Sequence, residues 1–256
     1  MPKFNANLTM LFTEVDFLER FALAAKNGFD AVEYLFPYEY SAEELAECLA
    51  KNELKQVLHN LPAGDWGGGE RGIACIPGRE GEFQDGVAKG IEYATALNCP
   101  ALNCLVGLTP GDVPAELVEK TLVDNIRFAA EALDKAGKKL LIEALNDKDM
   151  PGFHLVSSKA TMELIEKVAH PNVSFQYDIY HMQRMEGDLV NTIRSLVDKI
   201  GHMQLADNPG RHEPGSGEIH FTNLFKAIDD AGYQGWIGCE YIPAGDTAAG
   251  LNWMKQ

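Results

Sequence analysis

The sequence predicts one domain, residues 1–256, folded as a single (β/α)8 barrel of the α/β class. Three observations lead there. Short apolar runs recur from end to end and alternate with longer amphipathic segments, the pattern of parallel strands covered by helices. The length of 256 residues is near that of one such barrel. Four runs in the second half, Lys139–Glu143, Val173–Asp178, Ile200–Gln204 and Gly235–Glu240, each end in a side chain able to bind a metal. In this fold the C-terminal ends of the strands carry the active site.

Taken in order, the first strand is Phe4–Leu8. The turn after it, through Thr13, is not glycine-rich, which sets aside an open dinucleotide-binding sheet. The second strand, Ala31–Leu35, follows Gly28, placed where a helix ends. Ser41-Ala-Glu-Glu44 is a capping box, and Leu45, Cys48 and Leu49 form the apolar face of the helix it opens. The third strand, Gln56–Asn60, leads into the longest irregular stretch, Leu61–Arg79. Its mixture of Trp66, Ile73, Arg71 and Glu70 predicts an ordered lid on the active face. Gly67-Gly68-Gly69 lacks the Gly-Lys-Ser/Thr of a phosphate loop. The fourth strand is Ala101–Val106. A helix follows from Ala115 to Leu133, with Val118, Leu122, Ile126, Ala129 and Leu133 on one face. Strands five to eight are Lys139–Ala144, Val173–Asp178, Ile200–Ala206 and Trp236–Tyr241. Gly137 and Gly232 close the helices before the fifth and eighth.

The net charge of −16 is opposite to the basic face that a nucleic-acid-binding protein needs, and argues equally against an anionic membrane. The cysteines number five, with no Cys-x-x-Cys pair, so neither a disulfide framework nor a thiolate zinc site is indicated. No cleavable leader is read at the N-terminus, and no run nears the roughly 20 apolar residues of a membrane helix. The expectation is a cytoplasmic protein with no membrane and no nucleic-acid partner; a homo-oligomer is left open.

Glu143, Asp178, Gln204 and Glu240 end strands five to eight. A lone carboxylate at a strand end ordinarily caps a helix or meets solvent, but four oxygen-bearing groups on successive strands point to one hard divalent cation. Mg2+ or Mn2+ suits that set better than zinc, which prefers nitrogen and sulfur. His59 ends the third strand and His181 follows Asp178 by one helical turn, so both are expected at the mouth; His202 lies one layer deeper, as a ligand or as a hydrogen-bonded structural residue. Arg71, Arg184 and Arg211 all follow active-face strand ends. They suit a small carboxylate-bearing substrate, or surface pairing with Glu70, Glu186 and Glu213.

Four strings carry a resemblance: Leu58–Trp66, Ile76–Glu80, Tyr177–Gly187 and Trp236–Tyr241. Through them the chain resembles the hydroxypyruvate isomerase family of the xylose-isomerase-like barrels, close to the 2-oxo-tetronate isomerases, over essentially its full length. The resemblance implies metal ligation by Glu143, Asp178, Gln204 and Glu240, with Glu143 and Glu240 also the proton donor/acceptor pair. It implies substrate contacts by His181 and Arg211, by analogy with ketose epimerases, which usually carry His where this chain has Gln204. The lid with His59 and Arg71 looks more like the hydroxypyruvate branch. The function it implies is metal-assisted interconversion of hydroxypyruvate and tartronate semialdehyde (2-hydroxy-3-oxopropanoate) through an enediolate, within carbohydrate-acid and glyoxylate metabolism. Alternatives on the same site are 2-oxo-tetronate isomerisation and 3-epimerisation of a small ketose. A silent sugar-acid-binding protein is a different class, against which the paired carboxylates argue. The net charge and the few histidines disfavour an apurinic endonuclease.

Overall fold

The eight apolar runs become eight parallel strands that close on one another in chain order. They are β1 (Lys3–Asn7), β2 (Ala31–Glu33), β3 (Lys55–Asn60), β4 (Ala101–Cys104), β5 (Lys139–Glu143), β6 (Val173–Asp178), β7 (Ile200–Leu205) and β8 (Trp236–Cys239). The computed structural model describes residues 2–255; Met1 and Gln256 lie outside the described residues. Several strands end short of their predicted limits, β2 at Glu33 and β8 at Cys239. At the mouth the chain leaves the ladder to place its polar side chains.

The helices are α1 (Phe17–Lys26), α2 (Ala42–Lys51), α3 (Glu80–Ala96), α4 (Ala115–Lys135), α5 (Ser158–Val168), α6 (Ile179–Met185), α7 (Leu189–Leu196), α8 (Phe221–Asp230) and α9 (Thr247–Gly250). The capping box at Ser41 forms, each partner satisfying the other's backbone N–H, worth about 1 kcal/mol. All five stripe residues of α4 are buried, each contributing roughly 1.5–3 kcal/mol if it is a full-sized aliphatic. Gly28, Gly137 and Gly232 all take positive φ. No helix among the described residues is long and apolar enough to cross a membrane.

Apolar residues fill the space between strands and helices in two large clusters. Inside the barrel, Leu141 of β5 packs with Ala31 and Leu58 of β2 and β3. Above that plug the interior turns polar. Asn5, Asn7, Glu33, Asn103, Glu143, Gln176, Asp178, His202, Gln204 and Glu240 are all buried. Strand register sets Asp178 beside Gln204 and Gln204 beside Gly238, and Glu143 beside Gln176.

The 61–79 segment is ordered, as predicted. Leu61, Ala63, Ile73, Ala74 and Cys75 are buried in the second cluster, and Arg79 pairs with Glu70 and Glu82. At Gly72 (φ +113) a Cβ would stand 2.0 Å from the Leu105 carbonyl oxygen, so only glycine lets the segment lie against the end of β4.

Candidate active site

Strand ends deliver the site. Glu143 closes β5, and Asp178 closes β6 and caps α6. Its Oδ1 accepts from the Tyr180 and His181 N–H groups at 2.7 and 3.2 Å. Its Oδ2 is buried with no hydrogen-bond partner. Glu143 accepts from Asn103 Nδ2 at 2.8 Å. Burial first, then the Glu240 and Asp178 charges, hold the Glu143 carboxyl well above the usual carboxylate range, with Arg211 opposing. Burial also raises Asp178, against Arg211 and the two N–H groups.

Glu240 follows β8 and is better supplied with donors. Its Oε1 accepts from Arg211 Nη2 at 2.7 Å, and its Oε2 from Asn7 Nδ2 at 3.2 Å and from Gln204 Nε2. Burial still pushes its carboxyl up to about 8; Arg211 pulls it down, Asp178 and Glu33 push it further up. Crowded carboxyls with a buried, unpartnered oxygen among them are the setting a hard cation satisfies. The residues present therefore fit a divalent metal held by Glu143 and Asp178, with Glu240 adjoining.

His181 also converges on this point; its ring nitrogen and one oxygen each of Glu143 and Asp178 lie within 4.8 Å of one another. Its hydrogen bonds argue for another role. Nδ1 sits 3.0 Å from the Asn146 N–H, a group that only donates, so Nδ1 bears no proton. Burial first, then Arg211, lower its pKa well below the ordinary value, so the ring is neutral and its proton lies on Nε2. A ligand histidine coordinates through a bare nitrogen and donates through the other. His181 is arranged the opposite way and presents an N–H donor near Asp178 Oδ2, 3.7 Å distant.

Gln204 reaches the site with its amide nitrogen forward. Nε2 donates to Glu33 Oε1 at 2.8 Å and to Glu240, while Oε1 accepts from Gln176 Nε2 at 2.7 Å. The oxygen predicted to face a metal is thus taken by Gln176.

Of the three predicted arginines, Arg211 alone is shown against the carboxylates. It has φ +56, its guanidinium lies 5.1 Å from the Tyr180 ring centroid, and its Nε is buried without a partner. The loop carrying it is knotted around Asp207. Oδ1 of Asp207 accepts from the Asn208 and Ile219 N–H groups, and Oδ2 from those of Gly215 and Gly217. Arg71 donates to the Trp66 and Glu70 carbonyls of its own loop and stacks 4.2 Å from the Trp66 ring. Arg184 is held by Tyr180 and Asp149.

His59 is not brought to the mouth. Its Nδ1 meets Gln56 Nε2 at 3.0 Å, and its Nε2 lies 3.4 Å from the Gly90 carbonyl of α3. Leu58 faces the barrel plug, so alternation along β3 turns His59 outward into the layer beneath α3. His202 is a structural partner, donating from Nε2 to Glu33 Oε2 at 2.7 Å.

Glu33, at the end of β2, was not singled out by the sequence reading, although it obeys the same strand-end rule as Glu143. It is fully enclosed and accepts from Asn5, Asn7, His202 and Gln204. Burial alone would raise its pKa; the His202 charge and these hydrogen bonds hold it below the ordinary value.

Comparison with known proteins agrees with this architecture. The family model for xylose isomerase-like TIM barrels matches residues 21–256. The chain is 57% identical to the hydroxypyruvate isomerase of Escherichia coli K12 over 254 residues, covering 99% of this chain and 98% of that one. It is 44% identical to the 2-oxo-tetronate isomerase of Cupriavidus necator, covering 100% and 98%. A crystal structure of an AP endonuclease, family 2, from Brucella melitensis superposes with a TM-score of 0.98 at 45% identity, covering 100% and 98%.

Proposed function

The chain belongs to the xylose isomerase-like TIM barrel family, and from that premise we propose that it is an aldose–ketose isomerase interconverting hydroxypyruvate and tartronate semialdehyde. The observation that carries the reading is the buried carboxyl pair, Glu143 on β5 and Glu240 after β8, with Arg211 bonded to Glu240, in a chain 57% identical to a hydroxypyruvate isomerase.

The reaction removes a proton from the hydroxyl-bearing carbon of hydroxypyruvate, passes through an enediolate and returns a proton to the neighbouring carbon, while the hydroxyl proton moves to the former carbonyl oxygen. Glu240 has three donors where Glu143 has Asn103, so Glu240 is the readier base and Glu143 the acid that completes the transfer; such groups contribute about 10²–10⁴ in rate. Mg2+ or Mn2+ held by Glu143, Asp178 and Glu240, with Gln204 beside them, would supply a Lewis acid for the substrate's two oxygens. His181 Nε2–H donates to one of those oxygens. Arg211 offers its unpartnered Nε, and a guanidinium edge, to the substrate carboxylate. Trp66, packed 5.1 Å from Phe36, and Arg71 cover the mouth against water. This assigns the carboxylate to Arg211 ahead of Arg71.

The 44% identity to 2-oxo-tetronate isomerases supports a second reading, the same proton shift on an acid one carbon longer. A net charge of −16 speaks against the DNA backbone as substrate, whatever the Brucella relative acts on. We place the enzyme in the cytoplasm, in keeping with its free cysteines. A coupled assay of both acids, with and without EDTA, tests the proposal. Turnover of hydroxypyruvate that EDTA abolishes and Mg2+ or Mn2+ restores is expected. No turnover of hydroxypyruvate with rapid turnover of the longer acid selects the second reading.

A further inference from the structure

Beneath the carboxyl pair lies a charge that the chemistry above leaves unused. Glu33 is sealed from solvent, yet a buried carboxylate costs several kcal/mol unless it is fully bonded. The chain meets that requirement with donors from two strands: Asn5 and Asn7 of β1 at 2.8 and 3.0 Å, His202 of β7 at 2.7 Å and Gln204 of β7 at 2.8 Å. It also clears space. At Gly238, two residues before Glu240, a Cβ would stand 2.3 Å from Glu33 Oε1. A barrel interior needing only to be filled would take an apolar side chain at position 33.

Two of the four donors are shared. Asn7 Nδ2 donates to Glu33 and to Glu240 Oε2, and so does Gln204 Nε2. Two amide groups therefore bridge the two carboxylates. An amide set between a carboxylate and open space is free to turn either end forward. With a carboxylate on each side, only its NH2 satisfies both. Glu33 thereby fixes, together with the Thr9 N–H that donates to Asn7 Oδ1 at 3.1 Å and Gln176 Nε2 that donates to Gln204 Oε1 at 2.7 Å, which end of Asn7 and of Gln204 faces the site, and so holds one oxygen of Glu240 in place.

We infer that Glu33 is a positioning residue for proton transfer, aiming the Glu240 carboxylate at the substrate through the Asn7 and Gln204 amides. The inference rests on the isomerase reading for its kinetic consequence but not for its structural one. Groups that orient reactive residues from behind are worth about 10–100-fold in activity.

Two measurements on Glu33→Gln test it. In side-chain amide NMR spectra of 15N-labelled protein, the Asn7 and Gln204 NH2 protons are slow to exchange with solvent in the parent and fast in the variant; this needs no substrate. In kinetics, kcat falls about 10–100-fold with KM little changed. The isotope effect with hydroxypyruvate deuterated at its hydroxymethyl carbon rises, because proton transfer has become slower. Gly238→Ala, which displaces Glu33 without altering its charge, produces the same changes more weakly. If Glu33→Gln does not fold, Asn7→Ala removes one bridge and decides the matter by the same readouts. Unchanged amide exchange, or a lowered Tm with kcat and isotope effect at parent values, overturns the inference. A parent protein inert toward hydroxypyruvate overturns the isomerase reading instead, and leaves the amide spectra to judge the bridge.

Discussion

The two sides of the mouth are built to opposite standards. On the β1–β2–β7–β8 side, each oxygen of Glu33 and Glu240 meets at least one donor, and Arg211 adds a full positive charge. On the β5–β6 side, Glu143 has Asn103, and one oxygen of Asp178 has no partner. A single protein interior thus carries a satisfied carboxylate array beside a deficient one. Unmet buried acceptors cost stability, so the deficient side is where a ligand that brings positive charge or a hydrogen-bond donor would contribute most. The carboxylates of the satisfied side are preorganised; the buried Nε of Arg211 is the donor left open there.

Substitutions should respond accordingly. The largest effect is expected for Glu143→Gln, with turnover reduced about 10²–10⁴-fold and, in chelated protein at alkaline pH where the raised carboxyl ionises, a higher Tm, because a repelling buried charge is gone. Steady-state kinetics and calorimetry on one sample check both; a lower Tm would mean that Glu143 is already satisfied. Cation addition comes next. Mn2+ should raise the Tm of chelated protein, as any ligand of the native state does, and the rise should shrink in Asp178→Asn, where the orphan oxygen loses its charge. An equal rise in both would erase the contrast between the two sides.

Arg211→Ala removes a charge-assisted bond worth about 1.5–3 kcal/mol, so KM for hydroxypyruvate should rise roughly 10–100-fold. Arg71→Ala, at a side chain already engaged by its own loop, should raise it less; the reverse order would return the carboxylate to the lid. A pH test separates the sides further. Glu240 is raised from 4.5 to about 8 by burial, in spite of Arg211. A raised carboxyl pKa stabilises the fold below 4.5, and that contribution is lost as pH rises through about 8. Over this window the Tm of chelated parent should fall relative to Glu240→Gln.

The smallest effect on catalysis is expected at His59, outside the mouth. Its pKa is lowered from 6.5 to about 4, chiefly by burial. The fold holds the ring neutral, so stability declines as pH falls through that window, by about 3 kcal/mol in all. Urea unfolding of parent and His59→Gln at several pH values should show the decline in the parent alone, with KM at neutral pH unaltered.

Strand ends were legible because a buried parallel strand announces itself locally, as Lys139–Glu143 and Val173–Asp178 do. Side-chain facing was less so. An extra residue on β3, between Gln56 and Leu58, shifts the β2–β3 register. Such a bulge reverses the parity of everything after it, and nothing in the run Gln-Val-Leu-His-Asn marks it, so His59 was expected inward. Glu33 was passed over because the predicted second strand ran on to Leu35 and left it mid-strand, whereas β2 ends at Glu33 itself. The direction of the Gln204 amide depends on Gln176 and Glu33, residues distant in sequence. Arg71 and Arg211 looked equivalent because loop arginines carry no local signal of what they touch.

The knot at Asp207 has a consequence for how such enzymes can diverge. Because one carboxylate gathers backbone N–H groups from Asn208, Gly215, Gly217 and Ile219, the segment between strand and helix keeps its shape from within. It behaves as a cassette. Transplanted whole onto a related barrel, it should carry its arginine to the same spot, loop and guanidinium travelling between scaffolds as one piece. Cut inside the knot, the same graft should deliver the arginine nowhere in particular.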